Sequence, residues 1–186
     1  MRKATSITVW DPLVRLFHWS LAGAFLTAWL TQEEHYRLHL QAGYTILGLI
    51  CLRTLWGVVG SKYARFSDFI QGPKTVHDYL KSLLKGGARR FIGHNPAGGA
   101  MILALLLGLL TVTLSGIALD GAENWSGPMA GMNLYRHLEL IQTIHEVSTD
   151  VLLILIGLHL LGVLHASRAH RENLVLAMIT GKKRVE

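Results

Sequence analysis

Four of the ten histidines stand in or at the edge of long apolar runs: His18, His39, His145 and His159. A polar ring in a membrane-grade segment is costly, so each is a site candidate by default. Any one of them alone could be a packed, hydrogen-bonded residue; the argument rests on the set. His145 and His159 bracket the stretch "IHEVSTDVLLILIGLH" and are fourteen residues apart. At about 100° and 1.5 Å per residue, they lie within ~40° of one another around a helix and ~21 Å apart along it. That is too far to share one metal ion and suits two sites at different depths.

Each of the two needs a partner at its own depth. If the apolar runs are antiparallel spans, His18 in the early turns of the first lies level with His159 in the fourth. His39, at the start of the second, lies level with His145. Paired imidazoles from facing helices are the axial ligand set of haem b. The spacing therefore points to two bis-histidine sites, with Gly43, Gly48 and Gly157 leaving room for a flat ligand. Arg53 follows His39 by fourteen residues and so sits near the depth of His18 and His159. Its guanidinium could pair with a haem propionate or snorkel to the headgroups.

The remaining histidines are weaker candidates. His35, four residues before His39 in a polar loop, competes with it as a ligand. His165 is six residues after His159, about 240° around the helix, and should miss the same face. His137 is expected to face solvent, and His77, His94 and His170 to have surface or capping roles.

The elements that must position these rings are spans. The 186 residues are 51% hydrophobic and 16% charged, against about 25% charged in a soluble domain. Four apolar segments, 12–31, 39–60, 96–119 and 138–167, reach the roughly 20 residues needed to cross a bilayer. The expected fold class is all-α, a four-helix integral membrane bundle forming a single domain over residues 1–186. Asp11-Pro12 and Asn95-Pro96 read as helix starts. Residues 75–85 read as an amphipathic surface helix with Val76, Leu80, Leu83 and Leu84 on one face, and 168–186 as a basic tail that could hold a short helix at 172–179. The first apolar run lacks a small-residue cleavage site, so no cleaved signal peptide is expected.

The net charge of +6 does not point to nucleic acid, because of where it lies. Fifteen of the eighteen lysines and arginines, beginning with Arg2 and Lys3, fall in the N-terminus, the loop 61–95 and the C-terminus. The positive-inside rule puts these segments, and so both termini, in the cytoplasm. The loop 120–140 then faces outward, and its Glu123, Trp125, Tyr135 and Arg136 form a candidate docking surface. Cys51 is the only cysteine. Disulfides within the chain and a thioether-linked haem are excluded, and Cys51 itself reads as a small packed residue.

The stretches "FHW", "HLQAGYTILGLICLRTLWG", "GHNPAG", "IHE…GLH" and "HRENLVLAMITGKKR" resemble the bacterial di-haem cytochrome b561 family, close to the b-type subunit of nickel–iron hydrogenases. The resemblance covers nearly the whole chain. It implies a four-helix bundle in the bacterial inner membrane holding two b haems. The family's ligand positions match His18, His39, His145 and His159. It also implies electron exchange between the quinone pool and a periplasmic partner, such as a c-type cytochrome or a hydrogenase-like subunit. Hydrogenase-type subunits carry a further C-terminal helix, whereas here the basic tail follows the fourth span. Association as a homodimer stays open. The alternatives are a stand-alone quinone-linked oxidoreductase acting on a small redox substrate such as superoxide, and, from another class, a histidine-based metal transporter.

Overall fold

In a computed structural model of the chain, residues 6–32, 34–87 and 89–185 are described. Arg2 and Lys3, used in the charge argument, lie outside this set, as does the side chain of Leu84. The chain is mostly helical. In order it forms β1 (Ser6–Thr8), α1 (Pro12–Leu30), α2 (Tyr36–Val59), α3 (Phe66–Phe69), α4 (Pro73–Leu84), α5 (Pro96–Glu123), α6 (Leu138–Ala169), α7 (Leu174–Thr180) and β2 (Lys182–Arg184), with two short 3-10 turns before α6. Four helices, α1, α2, α5 and α6, are long and apolar enough to cross a membrane. Their large apolar side chains are widely exposed, among them Leu16, Leu26, Leu55, Val58, Leu107, Ile154 and Leu161. Such surfaces suit hydrocarbon, where helices meet every backbone hydrogen bond internally.

Helix starts follow the local chemistry. The Asp11 carboxylate accepts the Val14 N–H at 2.9 Å and also takes donors from Trp56 and Ser61. Burial pushes its carboxyl up, but these hydrogen bonds prevail and hold it below the usual range. Asn95 caps α5 through the Gly98 N–H at 2.7 Å. Helix α2 starts at Tyr36, three residues earlier than its apolar pattern begins. The turn before it carries on helical bonding, with the His35 and His39 N–H groups reaching Thr31 O and His35 O.

The chain divides into two compact units. The second comprises Trp19–Leu52 and Leu105–Ile156 and is a four-helix packing. Ile46 and Ile50 of α2 meet Leu109 of α5 and Leu152 of α6, with Leu21, Ala24, Phe25 and Ala28 of α1 against them. Leu152 is fully buried, and a Cβ on Gly108 would come within 3.2 Å of it. Cys51, read as packed, is exposed; it lies off this core, where a helix in lipid tolerates a small apolar thiol.

The first unit comprises Met1–His18, Arg53–Ala104 and Gly157–Glu186. Its core is Val9, Trp10, Val14, Ala64 and Ala177. Here the basic tail is built into the fold: α7 lies where the sequence allows a short helix at 172–179, and a strand follows it. Strand β2 pairs antiparallel with β1, Ile7 opposite Lys183. Gly181 ends α7 at φ +80°, a conformation suited to glycine, and its carbonyl accepts the Val9 and Trp10 N–H groups. Lys183 is buried beside Glu172 at 3.6 Å, and Arg90 reaches the same carboxylate at 3.3 Å. Burial above all, and then the charge of Arg90, pull the Lys183 ammonium below its ordinary value, while Glu172 opposes them. Helix α4 also differs in detail. Tyr79, stacked edge-on against Phe91 at 5.7 Å, is its buried anchor, whereas Leu80 is exposed.

Candidate functional site

Two imidazole pairs form, one in each unit. His18 of α1 and His159 of α6 face one another in the first unit, with ring centres 6.5 Å apart. His39 of α2 and His145 of α6 do so in the second, at 6.2 Å. A metal bonded at about 2 Å to one nitrogen of each ring would hold the ring centres roughly 6 Å apart. Both pairs fit an iron with two axial imidazoles. Of the two histidines competing at the start of α2, it is His39 that faces His145; His35 is exposed in the preceding turn.

Backbone carbonyls orient the second pair. His39 Nδ1 lies 2.8 Å from Ala28 O, and His145 Nδ1 lies 3.0 Å from Val112 O. An Nδ1–H donated to a carbonyl leaves the Nε2 lone pair for a metal, the usual arrangement of a metal-binding histidine. Helix α5 has no histidine of its own but closes on His145 from the side. Ser115 Oγ is 3.2 Å from its Nδ1, and a Cβ on Gly116 would stand 3.0 Å from its Cε1. By contrast, a Cβ on Gly43, Gly48 or Gly157 would meet nothing within 4 Å. No neighbouring helix leans on those positions, and the room beside them suits a planar ligand.

The histidines gather in twos. Among the described residues no group of three or more His, Cys, Asp or Glu could hold a metal ion. Two protein ligands under-coordinate a bare zinc or copper ion but suffice for an iron whose four equatorial nitrogens come from a porphyrin.

Arg53, in the first unit, is 5% exposed. One of its terminal nitrogens donates to Ala64 O at 3.0 Å, and its guanidinium lies over the Phe66 ring at 4.8 Å. It does not snorkel into solvent; its other terminal nitrogen, Nη1, is buried without a partner. The fit to a carboxylate-bearing ligand is good. His165 is exposed.

Two features escaped the sequence reading. His94, expected at the surface, is wedged between Trp10 at 4.5 Å and Phe69 at 4.7 Å. Burial first, then the charges of Arg53 and Lys183 and a smaller effect of His159, push its imidazole down to about 3, so it is neutral at ordinary pH. Its position before a helix cap suggested a surface role, and only the aromatic neighbours from distant segments bury it. In the second unit Asp120 is 3% exposed and accepts hydrogen bonds from Tyr36 and Asn124. The signal for it was present, a single acid at the end of an apolar span. Nearby, Trp125 stacks on Tyr135 at 5.8 Å and Arg136 covers the same tyrosine, so three of the four proposed docking residues are neighbours.

The model of the prokaryotic cytochrome b561 family matches residues 9–181. Among curated proteins, the chain is 24% identical to a probable Ni/Fe-hydrogenase B-type cytochrome subunit of Rhizobium leguminosarum bv. viciae, covering 96% of this chain and 89% of the relative. A protein of the same description from Azotobacter vinelandii is also 24% identical, with 97% and 90% covered. One from Rhodobacter capsulatus is 22% identical, with 98% and 83% covered. No solved structure matches the chain.

Proposed function

The chain belongs to the prokaryotic cytochrome b561 family, and from that premise we propose that it is a transmembrane di-haem b-type cytochrome passing electrons between membrane quinone and a periplasmic redox protein. The observation that carries this reading is the double imidazole pairing at 6.5 and 6.2 Å. His18 and His159 would hold one haem b, and His39 and His145 the other. When bound, each haem supplies an iron that takes up and returns one electron at a time. Held by two histidines each, the haems would be suited to electron transfer rather than oxygen binding. Ala28 O, Val112 O and Ser115 Oγ fix ring orientation, which limits reorganisation around a change of charge.

Helix α6 contributes one histidine to each pair, so residues 1–186 work as one cytochrome domain. Charge distribution supports cytoplasmic N- and C-termini in the bacterial inner membrane, with His18–His159 toward the inside. The inner end, with Arg53 and His165, would meet quinone or quinol. The outer loop with Glu123, Trp125, Tyr135 and Arg136 would dock the partner. The relatives' description as hydrogenase subunits supports a hydrogenase-like partner, and a c-type cytochrome suits the same surface. Lipid surrounds the spans, and self-association as a homodimer is compatible with this arrangement.

The deciding experiment is pyridine haemochrome assay and redox titration of the purified protein. Two b haems per chain, reducible by a quinol, are expected; none, or one, overturns the reading. Gly116 offers a finer check. A methyl there would press the His145 ring by a few tenths of an ångström and disturb its bond to Val112 O. Gly116→Ala should shift the midpoint potential of one haem and leave the other in place. Two unmoved potentials would show that α5 does not tune His145.

A further inference from the structure

The first unit holds a buried cation with no carboxylate in contact among the described residues. Glu172 pairs with both Lys183 and Arg90. Arg53 has no such contact: among the described residues no carboxylate lies within 4 Å of it, Asp11 acts on it only from a distance, and Nη1 makes no hydrogen bond. A buried guanidinium without an anion is strongly unfavourable. A second unpartnered buried nitrogen stands close by. His94 Nδ1 is also without a partner. His94 and Arg53 both abut the Phe69 ring, at 4.7 and 6.0 Å. Arg53, His94, His18 and His159 all belong to this unit, and His94 feels the charges of both Arg53 and His159. One cation and one imidazole against the same ring, each with an unpartnered nitrogen, make a receptor for a carboxylate-like anion.

We propose that Arg53 and His94 together receive a propionate carboxylate of the haem held between His18 and His159, with Arg53 Nη1 and His94 Nδ1 as donors. This rests on the reading that a haem occupies that pair. Arg53 supplies the charge. His94, braced by Trp10 and Phe69, supplies a directed N–H and is a positioning residue rather than an axial ligand. The anion would in turn relieve the unpaired charge on Arg53, so that filling the site and closing this part of the unit favour one another.

The test compares haem with its dimethyl ester, which has the same iron and ring but no carboxylates. Protein produced without haem is titrated with each, and filling of the two sites is followed by their visible spectra. In the wild type, the ester should fill the His18–His159 site about tenfold or more weakly than the acid, as expected for a lost charge-assisted hydrogen bond. Arg53→Gln and His94→Phe should weaken the acid and shrink the acid-to-ester ratio toward one, while filling of the His39–His145 site reports that each variant is folded. Arg53→Lys should retain part of the ratio, keeping the charge without the fork. Equal filling by acid and ester in the wild type overturns the proposal. So does a full acid-to-ester ratio in both variants, including the case in which they lose only binding to vesicles rich in anionic lipid, since the anion is then a headgroup phosphate. Failure of the underlying reading looks different: the wild type would take up neither compound at His18–His159.

Discussion

Replacing His159 with alanine is expected to halve the haem content, and replacing His145 should remove the other half. In each case the surviving haem keeps a low-spin bis-histidine spectrum. The reason is that each pair lies inside its own unit: His18 faces His159 in the first, and His39 faces His145 in the second. On the proposed reading, loss of one imidazole would leave a single histidine to hold that haem. The cavity left by the ring costs packing as well. The pattern across variants is the stronger check. His18→Ala should abolish the same haem as His159→Ala, and combining them should add little, because ligands of one site act as a unit. His39→Ala should match His145→Ala, and His35→Ala should retain both haems. Haem stoichiometry and separate redox titrations read this directly. If His18→Ala and His145→Ala removed the same haem, the pairing would be wrong, whatever the total count.

The four facing histidines were legible because helix geometry is regular. Fourteen residues fix both an angle and a rise, and the apolar runs supply direction. Of His35 and His39, it is the His39 ring that lies beside His145. The positions of Asp11 and Asn95 were readable from their prolines. What could not be read depends on segments remote in sequence. The strands β1 and β2 are three residues each, too short to show alternation, and they pair across nearly the whole chain. Lys183 looked like one charge in a basic run until Glu172, held by the turn before α7, gave it a buried partner. His94 likewise gained its surroundings from Trp10 and Phe69, neither near it in sequence. The role of α5 was hidden for another reason. Its contribution to His145 is a carbonyl, a hydroxyl and a missing Cβ, none of which leaves a motif.

Removing the Glu172 side chain should be the most damaging substitution outside the histidine pairs. Glu172 and Lys183 are 8% and 5% exposed. The carboxylate accepts from Arg90 at 3.3 Å and from the Arg184 N–H at 3.3 Å, and pairs with Lys183 at 3.6 Å. Without it, Lys183 keeps only the Phe91 carbonyl at 3.3 Å. Leaving one partner of a buried pair uncompensated costs about 3–5 kcal/mol. Glu172→Ala should therefore loosen β2 from β1, seen as a lower unfolding temperature in detergent and faster proteolysis after α7. The pH dependence has a definite sign. Burial already depresses the Lys183 ammonium, and Glu172 opposes that shift, so the variant's folded state holds the proton still less well. Between that depressed value and the ordinary 10.5, the unfolded chain binds a proton that the folded chain lacks, and stability rises with pH. Glu172→Ala should recover stability as pH climbs toward 10.5, more steeply than the wild type. Pairing it with Lys183→Met removes the stranded charge and should restore much of the loss at neutral pH. A double variant no more stable than Glu172→Ala would mean that the carboxylate's bonds to Arg90 and the Arg184 backbone, rather than the buried lysine, hold the two termini together.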